Sequence, residues 1–262
     1  MPEYQHWLLS QEGHVATLTL NRPEDSNSLT AETFYELRDI TAFLRTRKDA
    51  WAVIVQGRGK HFSLGADVSV IRERLDRSEH ANREFLLDLQ GCLDDFEALE
   101  KPTIAKLRGF CIGGGLILAL CCDFRVASKR TIFSLPEVKL GLGVIMGTQR
   151  VTRVAGVAAT KEMILLGGRF KAATALEYGL VNQVVAPDEL DAAVARLAGK
   201  FRGLPPRTVG VAKRIINEGY SLSLRESQDL EIDAQVELVD SPDLREAIAS
   251  YLEKRPPRFV GE

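Results

Sequence analysis

Two glycine-bearing segments carry the residue types and spacing best suited to chemistry. Segment 57–67 reads Gly57-Arg58-Gly59-Lys60-His61-Phe62-Ser63-Leu64-Gly65-Ala66-Asp67 and follows the apolar run Val53-Ile54-Val55. Segment 108–115 reads Arg108-Gly109-Phe110-Cys111-Ile112-Gly113-Gly114-Gly115, follows the apolar run 103–106 and opens an apolar helix expected over 116–122. Glycine at a strand-to-helix turn lets a ligand come close to backbone N–H groups that no helical carbonyl satisfies. One such loop is equally well a buried tight turn. Two in one chain predict converging N–H donors, the arrangement that stabilises an enolate or a tetrahedral oxyanion.

Other chemistries have weaker support in the residues. The histidines His6, His14, His61 and His80 are scattered and form no HxxxH or HExxH pair, so no metal site is expected. Cys92, Cys111, Cys121 and Cys122 lie in apolar runs without a CxxC and read as small buried hydrophobes. The glycine spacing over 109–113 is not that of a dinucleotide fingerprint.

The elements that must position the two loops follow from periodicity. Strand-type runs at 15–20, 52–55, 103–105, 124–127 and 184–185 alternate with helical patterns, which implies an α/β core. One helix begins near Thr30 and gathers Phe34, Leu37, Ile40, Thr41 and Leu44 on one face. A second gathers Phe85, Leu86, Leu89, Leu93, Phe96 and Leu99 and stops before Pro102. After Pro187 the pattern is helical, over 188–197, 208–218, 224–239 and 243–253, so the chain divides into an α/β core at 1–186 and a helical region at 187–262. The apolar faces of that region must pack on the core or on another subunit.

Composition narrows the partners. Of 262 residues, 34 are Lys or Arg and 36 Asp or Glu, a formal charge of -2 that recruits neither nucleic acid nor anionic lipid. The longest apolar stretch, 110–122, is broken by glycines and is too short for a bilayer, and residues 1–10 lack a signal-peptide layout. A cytoplasmic location is expected.

In order along the chain stand Leu20-Asn21-Arg22-Pro23, Asn27-Ser28-Leu29, Phe62-Ser63-Leu64-Gly65-Ala66-Asp67, Gly113-Gly114-Gly115, Pro136-Glu137-Val138-Lys139-Leu140-Gly141, Gly147-Thr148-Gln149-Arg150, Gly179-Leu180-Val181-Asn182 and Glu253-Lys254-Arg255. This series resembles the crotonase superfamily, also called the enoyl-CoA hydratase/isomerase family, over essentially the whole chain. The resemblance implies an α/β fold, the crotonase (ClpP-like) spiral of ββα turns, with a C-terminal helical trimerisation region. It also implies a homotrimer or dimer of trimers, an acyl-CoA thioester as ligand, and no cofactor beyond the coenzyme A carried by the substrate.

Carried over residue by residue, the resemblance puts the oxyanion donors on Ala66 and Gly114. It puts Glu24, Asp25, Ser26, Ser63, Leu64, Asp67 and Val68 along the coenzyme A and substrate path, Lys254 at a CoA phosphate, and Ile117 and Ile145 in the acyl pocket. Gln235 stands where some hydratases have an aromatic residue. Hydratases of the family use two glutamates; the second is present as Glu137, while the first maps to Ile117. Hydration positions a water on one carbon and delivers a proton to another, whereas one carboxylate suffices to move a proton between carbons. The expected reaction is therefore double-bond isomerisation through a thioester enolate with Glu137 as sole acid/base. An enoyl-CoA hydratase or hydratase-lyase using one glutamate is an alternative, and a non-catalytic acyl-CoA-binding or RNA-binding homologue is another.

Overall fold

The protein is described by a computed structural model over residues 2–261. In chain order it contains β1 (Trp7–Glu12), β2 (Val15–Leu20), α1 (Ala31–Thr46), β3 (Ala52–Gly57), α2 (Val68–Leu75), α3 (Glu79–Glu97), β4 (Thr103–Leu107), β5 (Phe110–Ile112), α4 (Gly114–Leu120) and β6 (Phe124–Ser128). There follow β7 (Ile132–Ser134), α5 (Thr148–Leu166), β8 (Arg169–Lys171), α6 (Ala172–Glu177), β9 (Gln183–Val185), α7 (Leu190–Gly199), α8 (Pro206–Gly219), α9 (Leu224–Leu238) and α10 (Pro242–Glu253).

A six-stranded sheet runs β1-β2-β3-β4-β6-β9, antiparallel only at the β1–β2 hairpin. Its central strands are apolar on both faces, as expected for parallel strands covered by helices. A smaller sheet runs β5-β7-β8. Pairs such as β4–β5 and β6–β7 therefore send their first strand to the large sheet and their second to the small one. This is the spiral of ββα turns that the resemblance implied.

Local signals account for much of this. Thr30 caps α1 in a capping box with Thr33, and the buried face is the predicted Phe34, Leu37, Ile40, Thr41 and Leu44. Helix α3 buries Phe85, Leu89, Leu93 and Phe96 and packs on α1. The structure corrects one expectation at the second glycine segment. A strand, β5, is inserted after β4, and the helix starts at Gly114 and ends at Leu120 instead of covering 116–122.

Beyond β9 the chain is helical. Helix α7 covers the large sheet with Leu190, Ala193, Val194 and Ala198 against Ile104 and Val126. Helices α8 and α9 close around Val211, Ala234 and Leu238. Lys213, buried on α8, pairs with Asp123 at 2.9 Å and so ties this region to the core. No helix among the described residues is long and apolar enough to cross a membrane.

Candidate active site

The first glycine segment is held by Asn27, which is buried and left-handed at φ 56°. Its Nδ2 donates to the Arg58 and His61 carbonyls, both at 2.9 Å, and its Oδ1 accepts from Arg22 N–H at 3.1 Å. The Ser63 hydroxyl donates to Asn27 O at 2.7 Å and accepts from Gly65 N–H at 3.1 Å. Leu29 N–H donates to Gly65 O at 2.8 Å and Asp67 N–H to Leu29 O at 2.9 Å. The peptides on either side of Ala66 are thus satisfied. The Ala66 N–H donates to no acceptor among the described residues.

The second segment is locked to the first through β5. Ser63 N–H donates to Phe110 O at 3.1 Å, and Ile112 N–H donates to Ser63 O at 3.0 Å. His61 contributes by accepting the Phe110 N–H on Nδ1 at 3.0 Å while its ring stacks on Phe110, with burial lowering its pKa and favouring the neutral ring this bond needs. Gly113 N–H donates to Ser134 O at 2.9 Å, which leaves the Gly114 N–H at the first position of α4 with no acceptor among the described residues. A Cβ on Gly114 would lie 3.3 Å from Ala66 N, and one on Gly65 would lie 2.9 Å from Gly114 N. The two free donors are therefore neighbours, and the close approach requires glycine at 65.

Glu137 opens the 3-10 turn Glu137–Leu140 that follows β7. Pairing of β5 with β7, Ile112 opposite Ser134, carries it to the glycine triplet. Its Oε1 sits 2.6 Å from where a Gly113 Cβ would be, and its buried Oε2 has no hydrogen-bond partner. Burial pushes the carboxyl group up from the ordinary glutamate range. A cavity of about 140 Å³ opens beside it, lined by Ala66, Gly113, Ile117 and Ile145 among other apolar residues. Glu137 is the carboxylate of that lining and Arg74 its cation. Ile117 is 5% exposed and fills the space beside Gly147, where a Cβ would meet its Cγ1 at 2.5 Å.

The other expected contacts divide. Leu64 and Ile145 line the cavity, but Ser63 is fully buried beneath it, because its hydroxyl is committed to the loop scaffold. Asp67 caps α2 by accepting from Ser69 N–H at 2.9 Å, and it accepts from the Ser28 hydroxyl at 2.6 Å; these bonds pull its carboxyl down to about 2. Val68, Glu24 and Lys254 are exposed, and Ser26 is half-buried with its carbonyl accepting Leu64 N–H at 3.2 Å. None of these lines the cavity; Lys254 is the left-handed cap of α10.

Two features of the site lie beyond what sequence reasoning reached, the left-handed backbone of Met146 and the cation Arg74. Met146 lines the cavity at φ 61°, a conformation costly for a bulky residue, and the Arg150 guanidinium holds its carbonyl while Arg150 itself is anchored on Glu97 at 2.8 Å. The signal for Arg74 is local, since Val70, Ile71 and Arg74 lie at helical spacing after the Asp67 cap. Among the described residues no three His, Cys, Asp or Glu side chains gather as a metal site. Cys111 and Cys121 are buried with thiols pushed well up, and Cys122 is pushed up to about 12. A larger cavity of about 500 Å³ between α4 and α8 has its central charges, Lys213 and Asp123, already paired.

Unpaired N–H donors meeting a desolvated carboxylate over an apolar cavity are the parts of an acid/base enzyme that works on a carbonyl compound. The chain belongs to the enoyl-CoA hydratase/isomerase family, in the crotonase superfamily: the family's sequence profile matches residues 10–262. It is 35% identical over 255 residues to the short-chain-enoyl-CoA hydratase of Clostridium acetobutylicum, covering 97% of each chain. It is 31% identical over 260 residues to the peroxisomal Delta(3,5)-Delta(2,4)-dienoyl-CoA isomerase of Arabidopsis thaliana, covering 95% of this chain and 94% of that one. The crystal structure of an enoyl-CoA hydratase from Bacillus anthracis superposes with a TM-score of 0.90 at 32% identity, covering 98% of this chain and all of the other.

Proposed function

We propose that this enzyme shifts the double bond of an enoyl-CoA thioester through an enolate. The thioester oxygen accepts from the Ala66 and Gly114 N–H groups. Glu137 removes a proton from C2 of a 3-enoyl-CoA, negative charge develops on the held oxygen, and the same carboxyl returns the proton at C4 to leave a 2-enoyl-CoA. Each donor lowers the barrier by roughly 3 kcal/mol, since it meets charge that forms only as the reaction proceeds. A base with a raised pKa suits the task, being closer in proton affinity to the carbon acid.

The observation that carries this reading is the contrast between Glu137 and Ile117. The cavity lining offers one carboxylate, and the position one turn beyond Gly113 is filled by an apolar side chain packed on Gly147. No second carboxylate stands there to hold a water for addition. The names of relatives such as the Clostridium hydratase favour a second reading, hydration by one glutamate. In both readings the loop with Glu24, Asp25 and Ser26, together with Asp67 and Val68, borders the coenzyme A path, and Lys254 reaches a CoA phosphate. The exposed Ile232, Val236, Tyr251 and Leu252 of α9 and α10 support assembly into a trimer or a dimer of trimers.

The test offers 3-enoyl-CoA and 2-enoyl-CoA to the purified protein in deuterated water. Isomerisation, abolished in Glu137→Gln, is the expected result, with deuterium entering at C4 to the extent that the carboxyl exchanges its proton with solvent before returning it. Faster hydration of 2-enoyl-CoA than isomerisation of any 3-enoyl-CoA would refute the isomerase reading and leave the hydratase one.

A further inference from the structure

The acyl cavity holds a positive charge that neither reading uses. Val70, Ile71 and Arg74 share one face of α2 and all line the cavity, since residues three and four apart on a helix are neighbours. Arg74 stands six residues past Val68, about 9 Å along the axis from the helix start at 1.5 Å per residue. It therefore faces the far part of an acyl chain whose thioester lies at Ala66. Its Nε donates to the neutral Asn82 Oδ1 at 3.2 Å, and it makes no ion pair among the described residues. The nearby acid on its own helix, Glu73, is taken by Arg77 at 3.3 Å.

A half-buried guanidinium with one neutral partner has donors left over, because the group offers five N–H bonds in a planar fork. Apart from Glu137, with which Arg74 makes no ion pair among the described residues, the side chains lining the cavity are apolar and offer those bonds no strong acceptor. A charge against apolar walls is costly until paired, and a carboxylate matches the fork in two parallel bonds. A plain alkyl chain would leave the charge unpaired. The competing account is that the Arg74 stem packs on the wall and its head reaches water.

We propose that Arg74 selects an acyl chain whose far end carries a carboxylate, so that the substrate is a short enoyl-CoA with a terminal acid. The proposal rests on the enoyl-CoA reading above and names its substrate class. Glu137 does not oppose this, because it acts at the thioester end while Arg74 meets the distal end.

The experiment compares kcat/KM for enoyl-CoA thioesters matched in length and ending in a carboxylate or a methyl group, in the wild type, Arg74→Met and Arg74→Lys. The wild type should prefer the carboxylate. Arg74→Met should lower the carboxylate-to-methyl ratio by roughly ten- to a hundred-fold, mainly through KM, as expected for loss of hydrogen bonds to a charged group. Arg74→Lys should recover part of the ratio, having the charge without the fork. A wild-type preference for the methyl substrate, or equal losses on both in Arg74→Met, would overturn the proposal, the latter being what a packing role produces. Calorimetric binding of the matched saturated acyl-CoA pair separates this from the reaction itself. If no enoyl thioester is turned over, the catalytic reading fails; a carboxylate preference in binding that Arg74→Met removes still supports Arg74's role, and equal affinities refute it.

Discussion

Replacing Gly113 by alanine tests how the base and the oxyanion donors are assembled. Gly113 has φ 51° and ψ -125°, a region that L side chains rarely enter, and a strained backbone of this kind costs of order 1–3 kcal/mol. The new Cβ would also stand 2.6 Å from Glu137 Oε1. To reach an ordinary van der Waals separation the carboxylate must retreat by about 1 Å. Because it ends a flexible side chain, the retreat itself is cheap in stability, so the two effects separate. Stability should fall by the backbone cost alone, while a displacement of about 1 Å at a reacting group lowers the rate by roughly a hundred-fold. Denaturant midpoints give the first quantity, steady-state kinetics the second, and binding of a saturated acyl-CoA shows whether the site still accepts ligand. Gly13→Ala is the control, with φ 55°, no atom within 4 Å of its would-be Cβ and a place in the β1–β2 hairpin away from the site. It should lose stability and keep its rate. A folded Gly113→Ala protein with the wild-type kcat would refute the placement of Glu137 against the glycine triplet.

Glu137→Gln should be more stable than the wild type at pH 8. The folded-state pKa of Glu137 is raised, so its contribution to stability is present at low pH and lost as pH rises through that pKa; the variant lacks this loss, and urea melts should show the gap closing on acidification. Asp67 works with the opposite sign: its carboxyl is held down to about 2, so Asp67→Asn should cost about 1 kcal/mol at neutral pH, and that deficit should shrink as pH falls through the ordinary aspartate range towards 2. Sedimentation of the purified chain should show three or six copies, and Leu252→Asp, at a site 73% exposed in the single chain, should shift the assembly towards smaller species if α10 lies in the interface. A wild-type monomer at micromolar concentration would exclude that arrangement.

Much of the scaffold was legible without coordinates, because the signals involved are local. The Thr30 cap, the apolar stripe from Phe34 to Leu44 and the apolar strands β3 and β4 are properties of neighbouring residues. So are the paired glycine loops, where two free donors could be expected from composition and order alone. Strands β5, β7 and β8, three residues each, show no periodicity of their own and exist through pairing with each other. That pairing decides the site: Glu137 and Gly113 are far apart in sequence and meet because Ile112 lies opposite Ser134. It also turned Ser63 inward, where the Asn27 carbonyl takes its hydroxyl, and α2 brought Arg74 over the cavity. Propensity and patterning act over a few residues and so were readable in the chain, whereas burial, an unpaired donor and the approach of two side chains depend on distances that only packing sets.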